Sequence, residues 1–104
     1  MVCPVAEARL TVNGGGRWLL EGELGFATVP DILAHPGADI AAAPAIEVDL
    51  RGVTRADSAG LALLVAWLRE SERAGQRIAF VNVPPQLLSI ARVCGLDEIL
   101  ALSR

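Results

Sequence analysis

Three observations predict an α/β fold, a mixed β-sheet with helices packed on it, in the order β-β-α-β-α-β-α. Two short segments of alternating polarity flank Asn13-Gly14-Gly15-Gly16, the composition of a hairpin turn. Two apolar runs, Ala45–Leu50 and Arg77–Val83, are separated by a long amphipathic stretch that opens on Asp57-Ser58 and stops at Gly75. Pro84-Pro85 then introduces another stretch of helical spacing. Strands alternating with helices imply parallel pairing through right-handed crossovers, and the opening hairpin makes the sheet mixed.

Ala8–Val12 and Arg17–Leu24 are the hairpin strands. A phosphate-cradling loop would need a helix after its glycines; a strand follows here, so the glycines belong to a turn. Thr28–Ala34 reads as a short helix, with Thr28 as cap, Pro30 in the first turn and Asp31 near the positive end of the dipole. His35-Pro36-Gly37 ends it. A lone histidine beside Pro-Gly is a turn residue, and no Ser or Cys nearby supplies a nucleophile. Asp39–Pro44 is Ala-rich and reads as a second helical turn or a loop.

Ala45–Leu50 is the central strand, and Arg51-Gly52-Val53-Thr54 is the loop after it. Ser58–Ala74 is the long helix, closed by a left-handed Gly75. Arg77–Val83 fits a buried strand and should lie parallel to Ala45–Leu50, with the long helix crossing between them. In the last helix Leu87, Ile90, Ala91 and Cys94 recur at helical spacing. Gly95 ends it and Leu96 folds back, as a Schellman turn prefers. Ile99–Leu102 adds a final short strand or turn.

A chain of 104 residues suits a single domain, here residues 1–104 with a core from about 8 to 102. Hydrophobic residues make up 53% and charged residues 20%, with a mean hydropathy of +0.47. No apolar run reaches the ~18 residues of a membrane span, so no direct membrane insertion is expected. Arg55, Arg69, Glu70 and Glu72 interrupt the longest candidate. Met1-Val2-Cys3-Pro4 lacks the basic and apolar stretches of a signal peptide, which makes the cytoplasm the expected location. A net charge of −3 and a pI near 5.0, with no basic stripe, argue against a nucleic-acid partner. Cys3 and Cys94 lie far apart with no histidine at ligand spacing. They read as reduced thiols, Cys94 buried on a helix and Cys3 in a frayed terminus, with neither a metal nor a cofactor expected.

The long helix carries apolar residues on more than one side. With Leu61 as origin and about 100° per residue, Leu64, Val65 and Leu68 fall within about 60° of it. They form the stripe expected to face the sheet. Leu63 and Trp67 fall roughly 120° to 160° from Leu61, one turn apart and beside Glu70. Either a neighbouring helix covers them, or they form a partner-binding surface. We expect at least one to be partly exposed in the isolated chain.

Ser58 has two readings as well. It caps the helix, or it offers a hydroxyl at a terminus whose amides and dipole would stabilise a phosphoryl group. Asp49 and Asp57 would crowd that group. Nucleophilic catalysis is not expected, because the only histidine is remote and no Gly-x-Ser-x-Gly elbow exists.

Several of these residues together resemble the STAS domain, the family of anti-sigma factor antagonists and of the cytoplasmic domains of sulfate transporters. They are Gly22-Glu23-Leu24, Val48-Asp49-Leu50, Asp57-Ser58-Ala59-Gly60-Leu61 and Gly95-Leu96. The resemblance spans roughly Ala8 to Leu102. Arg55, two residues before Asp57, and Gly60-Leu61-Ala62-Leu63-Leu64 after the hydroxyl are similar to one branch, the MlaB-type STAS subunit of the bacterial lipid-asymmetry ABC transporter. Phe26-Ala27-Thr28-Val29-Pro30 resembles the start of that branch's first helix. Antagonists typically carry an acidic residue where Gly25 follows Leu24.

The resemblance implies a non-catalytic, cofactor-free subunit on the cytoplasmic side of an inner-membrane complex. It would bind the transporter's ATPase subunit and support phospholipid traffic between inner and outer membranes. Ser58 is the contact hydroxyl carried over by position. Arg55, Asp57, Ala59 and Ala62 surround it, with Leu63 and Trp67 expected to join the same partner-binding face. The alternative branch implies an anti-sigma factor kinase as partner and phosphorylation of Ser58 as a switch.

Overall fold

The computed structural model describes residues 7–35, 39, 43–96 and 98. Strand β1 (Ala8–Asn13) and strand β2 (Arg17–Leu24) form the expected antiparallel hairpin. Gly16 holds a left-handed φ of +79, and a Cβ there would collide with the carbonyl oxygen of Ala45. Its own carbonyl accepts a hydrogen bond from the Glu47 amide at 2.8 Å. The turn that closes the hairpin therefore also fastens it to the start of the next strand.

That strand, β3, runs Ala45–Ala56, with β2 parallel on one side and β4 (Arg77–Val81) parallel on the other. The sheet order is β1-β2-β3-β4, and α2 (Ser58–Ala74) connects β3 to β4 as expected. The loop expected at Arg51–Thr54 is instead strand. The second half of β2 pairs with Gly52, Val53, Arg55 and Ala56 through two register irregularities. Each admits an extra residue on β3, so the buried positions become Leu50, Val53 and Ala56, spaced by three. The period-two signature of a strand is erased there, which is why the sequence reads as loop. Strand β4 is shorter than expected, because Asn82 at φ 54 turns the chain away.

Leu10, Trp18, Leu20, Ile46, Val48 and Phe80 are buried on the sheet face that meets the helices. Their neighbours Arg9, Arg17, Glu47, Arg77 and Ala79 are exposed on the other face. Helices α1 (Val29–Leu33) and α3 (Pro85–Val93) both touch α2. With the sheet beneath and a helix on either side, α2 buries a wide arc. Its buried residues are Ala59, Gly60, Leu61, Leu63, Leu64, Trp67 and Ser71.

This corrects the expected partner face. Leu63 is 0% and Trp67 3% exposed, while Val65 and Leu68 are only half-buried. The true core line follows Gly60, Leu64, Trp67 and Ser71, about a quarter turn from the stripe centred on Leu61. Two of its members are small or polar, so a hydropathy wheel does not find it. Gly60 permits close approach, since a Cβ there would stand 3.1 Å from Leu24 Cβ and 3.4 Å from Ala56 Cβ. The Ser71 hydroxyl is satisfied by donating to the Leu68 carbonyl at 2.7 Å. Trp67 meets Trp18 edge to face, with ring centroids 5.3 Å apart.

Helix α2 ends as expected at a left-handed Gly75, and α3 ends in a Schellman pattern, with the Leu96 amide donating to the Ala91 carbonyl at 2.8 Å. Cys94, expected buried, is exposed, because Leu87, Leu88 and Ala91 make the inward face of α3 and the helix is over by Val93. Cys3, Pro36-Gly37, residues 40–42 of the Ala-rich stretch and Ile99–Leu102 lie outside the described residues. Among the described residues, no helix is long and apolar enough to cross a membrane.

Candidate docking site at the start of α2

Strands β2 and β3 end side by side at Leu24 and Ala56. The Asp57 amide donates to the Leu24 carbonyl at 3.1 Å, so the chain enters α2 directly over the end of β2. Asp57 is extended, and its carboxylate accepts from the Ala59 amide at 2.8 Å. Asp57 is therefore the helix cap, and Ser58 is the first residue inside the helix. Its exposed hydroxyl makes no hydrogen bond among the described residues. The capping expectation for Ser58 is corrected accordingly, and the side chain has no structural duty to perform. Replacing Asp57 by Ala is expected to cost about 1 kcal/mol of stability, with Asn restoring most of it, as measured by thermal unfolding.

The turn leading from β2 into α1 is built by Thr28. Its hydroxyl donates to the Glu23 carbonyl at 2.7 Å and accepts from the Gly25 amide at 3.0 Å. It makes no side-chain cap bond to α1, contrary to the sequence reading, because it is committed to the preceding turn. The Val29 amide closes the same turn onto the Gly25 carbonyl at 2.9 Å. This ordered platform holds Phe26 outward, 79% exposed. Phe26, Arg55, Asp57 and Gln86 line one cleft of about 400 Å³. Gln86 reaches it from α3, where its side-chain oxygen accepts from the Ala56 amide at 3.4 Å.

Along α2, Ser58, Ala62, Arg69 and Arg73 are exposed, and Val65 and Ala66 are half-buried between them. These six lie within an arc of about 100°. The face offers a hydroxyl and small side chains near the tip and guanidinium groups further along. Asp49 does not crowd Ser58. The continuation of β3 past Leu50 leaves it well back along the strand, bonded to Arg51 Nε at 3.3 Å and Asn82 Nδ2 at 3.1 Å.

Of the residues expected at a partner face, the fold gathers Arg55, Asp57, Ser58 and Ala62 at the surface. It places Ala59, Leu63 and Trp67 in the core. Phe26 and Gln86 were not singled out as site residues. The signal for Phe26 was available, since an aromatic directly after the turn-forming Gly25 belongs to no strand or helix stripe. Nothing local marks Gln86, which reaches the site only through the packing of α3.

Among the described residues, a four-stranded mixed sheet with helices on one face, and an exposed hydroxyl where the helix after the central strand begins, defines a STAS-type fold. The chain belongs to the STAS family: the family model described as "Mlab, STAS domain" matches residues 16–102. It is similar to the intermembrane phospholipid transport system binding protein MlaB of Haemophilus influenzae. The two are 31% identical over 86 residues, covering 79% of this chain and 82% of that protein. Among solved structures, an anti-sigma factor antagonist from Mycobacterium paratuberculosis superimposes with a TM-score of 0.74 at 24% identity, covering 98% of this chain and 89% of that one. The Bacillus cell fate determinant SpoIIAA in its phosphorylated form gives 0.68 at 22%, covering 94% and 92%. At these identities the solved structures speak for the fold.

Proposed function

We propose that this chain is a non-catalytic subunit of an intermembrane phospholipid transport system, held peripherally at the cytoplasmic side of the inner membrane by binding the system's ATPase subunit. The docking face comprises Phe26, Arg55, Ser58 and Ala62, with Asp57 holding its geometry. The observation that carries this reading is the Ser58 hydroxyl, exposed in the first turn of α2 and relieved of capping by Asp57. A surface hydroxyl beside small side chains and an outward aromatic suits close packing against another protein. The family match and the likeness to MlaB support a transport partner over other STAS partners.

The test uses the purified ATPase subunit of the same transport system. Ser58→Asp is expected to weaken binding at least tenfold, about 1.4 kcal/mol, because a carboxylate at a tight contact must be desolvated. Ser58→Thr keeps the hydroxyl and should bind nearly as wild type. Neither change should move the melting temperature appreciably, since Ser58 is not the cap. Absence of binding by the wild-type chain sinks the proposal. Equal binding by both variants removes Ser58 from the face. The same exposed hydroxyl also suits a kinase-controlled switch, and mass-spectrometric detection of phosphate on Ser58 in cells would favour that reading.

A further inference from the structure

We propose that a second site exists on the opposite edge of β3, where a short, extended, acidic segment of another protein adds as a strand beside α3. The pairing of β3 with β4 ends at Asp49 and Val81, and Asn82 then turns the chain away. From Leu50 onward β3 has no strand on that side among the described residues. Side chains of this chain close the two ends of the open stretch. The Arg51 amide donates to Asp49 Oδ1 at 2.9 Å, and the Ala56 amide donates to Gln86 Oε1 at 3.4 Å. Between them, the backbone groups of 52–55 that point away from β2 meet no partner among the described residues.

This open edge borders a cleft of about 820 Å³. Its apolar surface includes Leu50, Val53, Val83 and Leu88, and Pro84 and Pro85 add walls with no N–H to offer. Arg92 and Arg51, the latter paired with Asp49, line it, and among the described residues no carboxylate does. Arg92 makes no ion pair among the described residues.

Each feature selects part of the occupant. Unpaired strand groups bind an extended backbone, an apolar floor takes alternate apolar side chains, and guanidinium groups take carboxylates. A small apolar anion would leave the strand edge unused. A second copy of this chain is disfavoured by charge. Among the described residues its outer strands are β1 and β4, which carry Arg9 and Arg77 and no acidic residue, so they would set arginine against arginine. The two register irregularities twist this half of β3 and limit pairing to about four residues. The inference is independent of docking at Ser58.

The experiment titrates the isotope-labelled chain with an acetylated, amidated pentapeptide alternating valine and glutamate. Controls are its lysine counterpart, its two forms N-methylated on alternate amide nitrogens, and octanoate. Expected are NMR shifts at Val53, Thr54, Ser89 and Arg92 with a dissociation constant below about 1 mM. The lysine peptide should be silent, and one N-methylated form at least about tenfold weaker. Arg92→Gln should bind the glutamate peptide about fivefold more weakly while melting as wild type. No shift at several millimolar overturns the proposal. So does equal binding by the lysine peptide, by both N-methylated forms, or by octanoate.

Discussion

Trp67→Ala is expected to destabilise the protein by about 3–5 kcal/mol and to leave the partner affinity of the remaining folded molecules unchanged. Trp67 is 3% exposed and packs at 78° against Trp18, which is equally buried. Removing the indole opens a cavity between α2 and the sheet, and Leu63 and Leu64 beside it, both 0% exposed, have little room to collapse into it. Denaturant unfolding measures the loss, with Trp18 left as the fluorescent reporter. A cost below about 1 kcal/mol accompanied by loss of binding would return Trp67 to the partner surface.

Phe26→Ala is expected to do the reverse. At 79% exposed, the ring contributes little to folding, so the melting temperature should stay close to wild type. Binding to the ATPase subunit should weaken by about 2 kcal/mol or more, roughly thirtyfold, as for an aromatic anchor at the centre of an interface. The turn that carries Phe26 is already ordered by Thr28 and Gly25, so little conformational entropy remains to be lost on docking. Titration calorimetry on both proteins decides the point. A variant that binds normally would show that the docking face excludes the β2–α1 turn. An appreciably lower melting temperature would show that the ring supports the fold.

The two variants separate the roles of the aromatic residues. A wheel drawn on α2 alone pairs Trp67 with Leu63 as a spare apolar face. The structure spends both on the core and presents Phe26 instead, from a turn with no periodicity. Burial depends on neighbours, and the wheel treats α2 as if it had one. Here α1 and α3 flank it, so three sides are covered. The strip left outside is the one with Ser58, Ala62, Arg69 and Arg73.

The sequence by itself determined what short-range chemistry controls. Asn13 to Gly16 specified the hairpin, and Gly75 and Gly95 specified the ends of α2 and α3. Apolar patterning specified three helices and the parallel pair β3 and β4. The motif around Asp57-Ser58 marked the candidate docking face through residues that are neighbours in the chain. Tertiary structure decided the rest. Whether Asp57 or Ser58 caps α2 depended on the extended entry from β3, held by the Leu24 carbonyl. Whether 51–54 was loop or strand depended on β2, which supplies the pairing across two bulges. Which side of α2 faced inward depended on close approach at Gly60, where only the absence of a side chain lets the helix rest on Leu24 and Ala56. In each case the deciding partner lies far away in sequence, and local propensity carries no information about it.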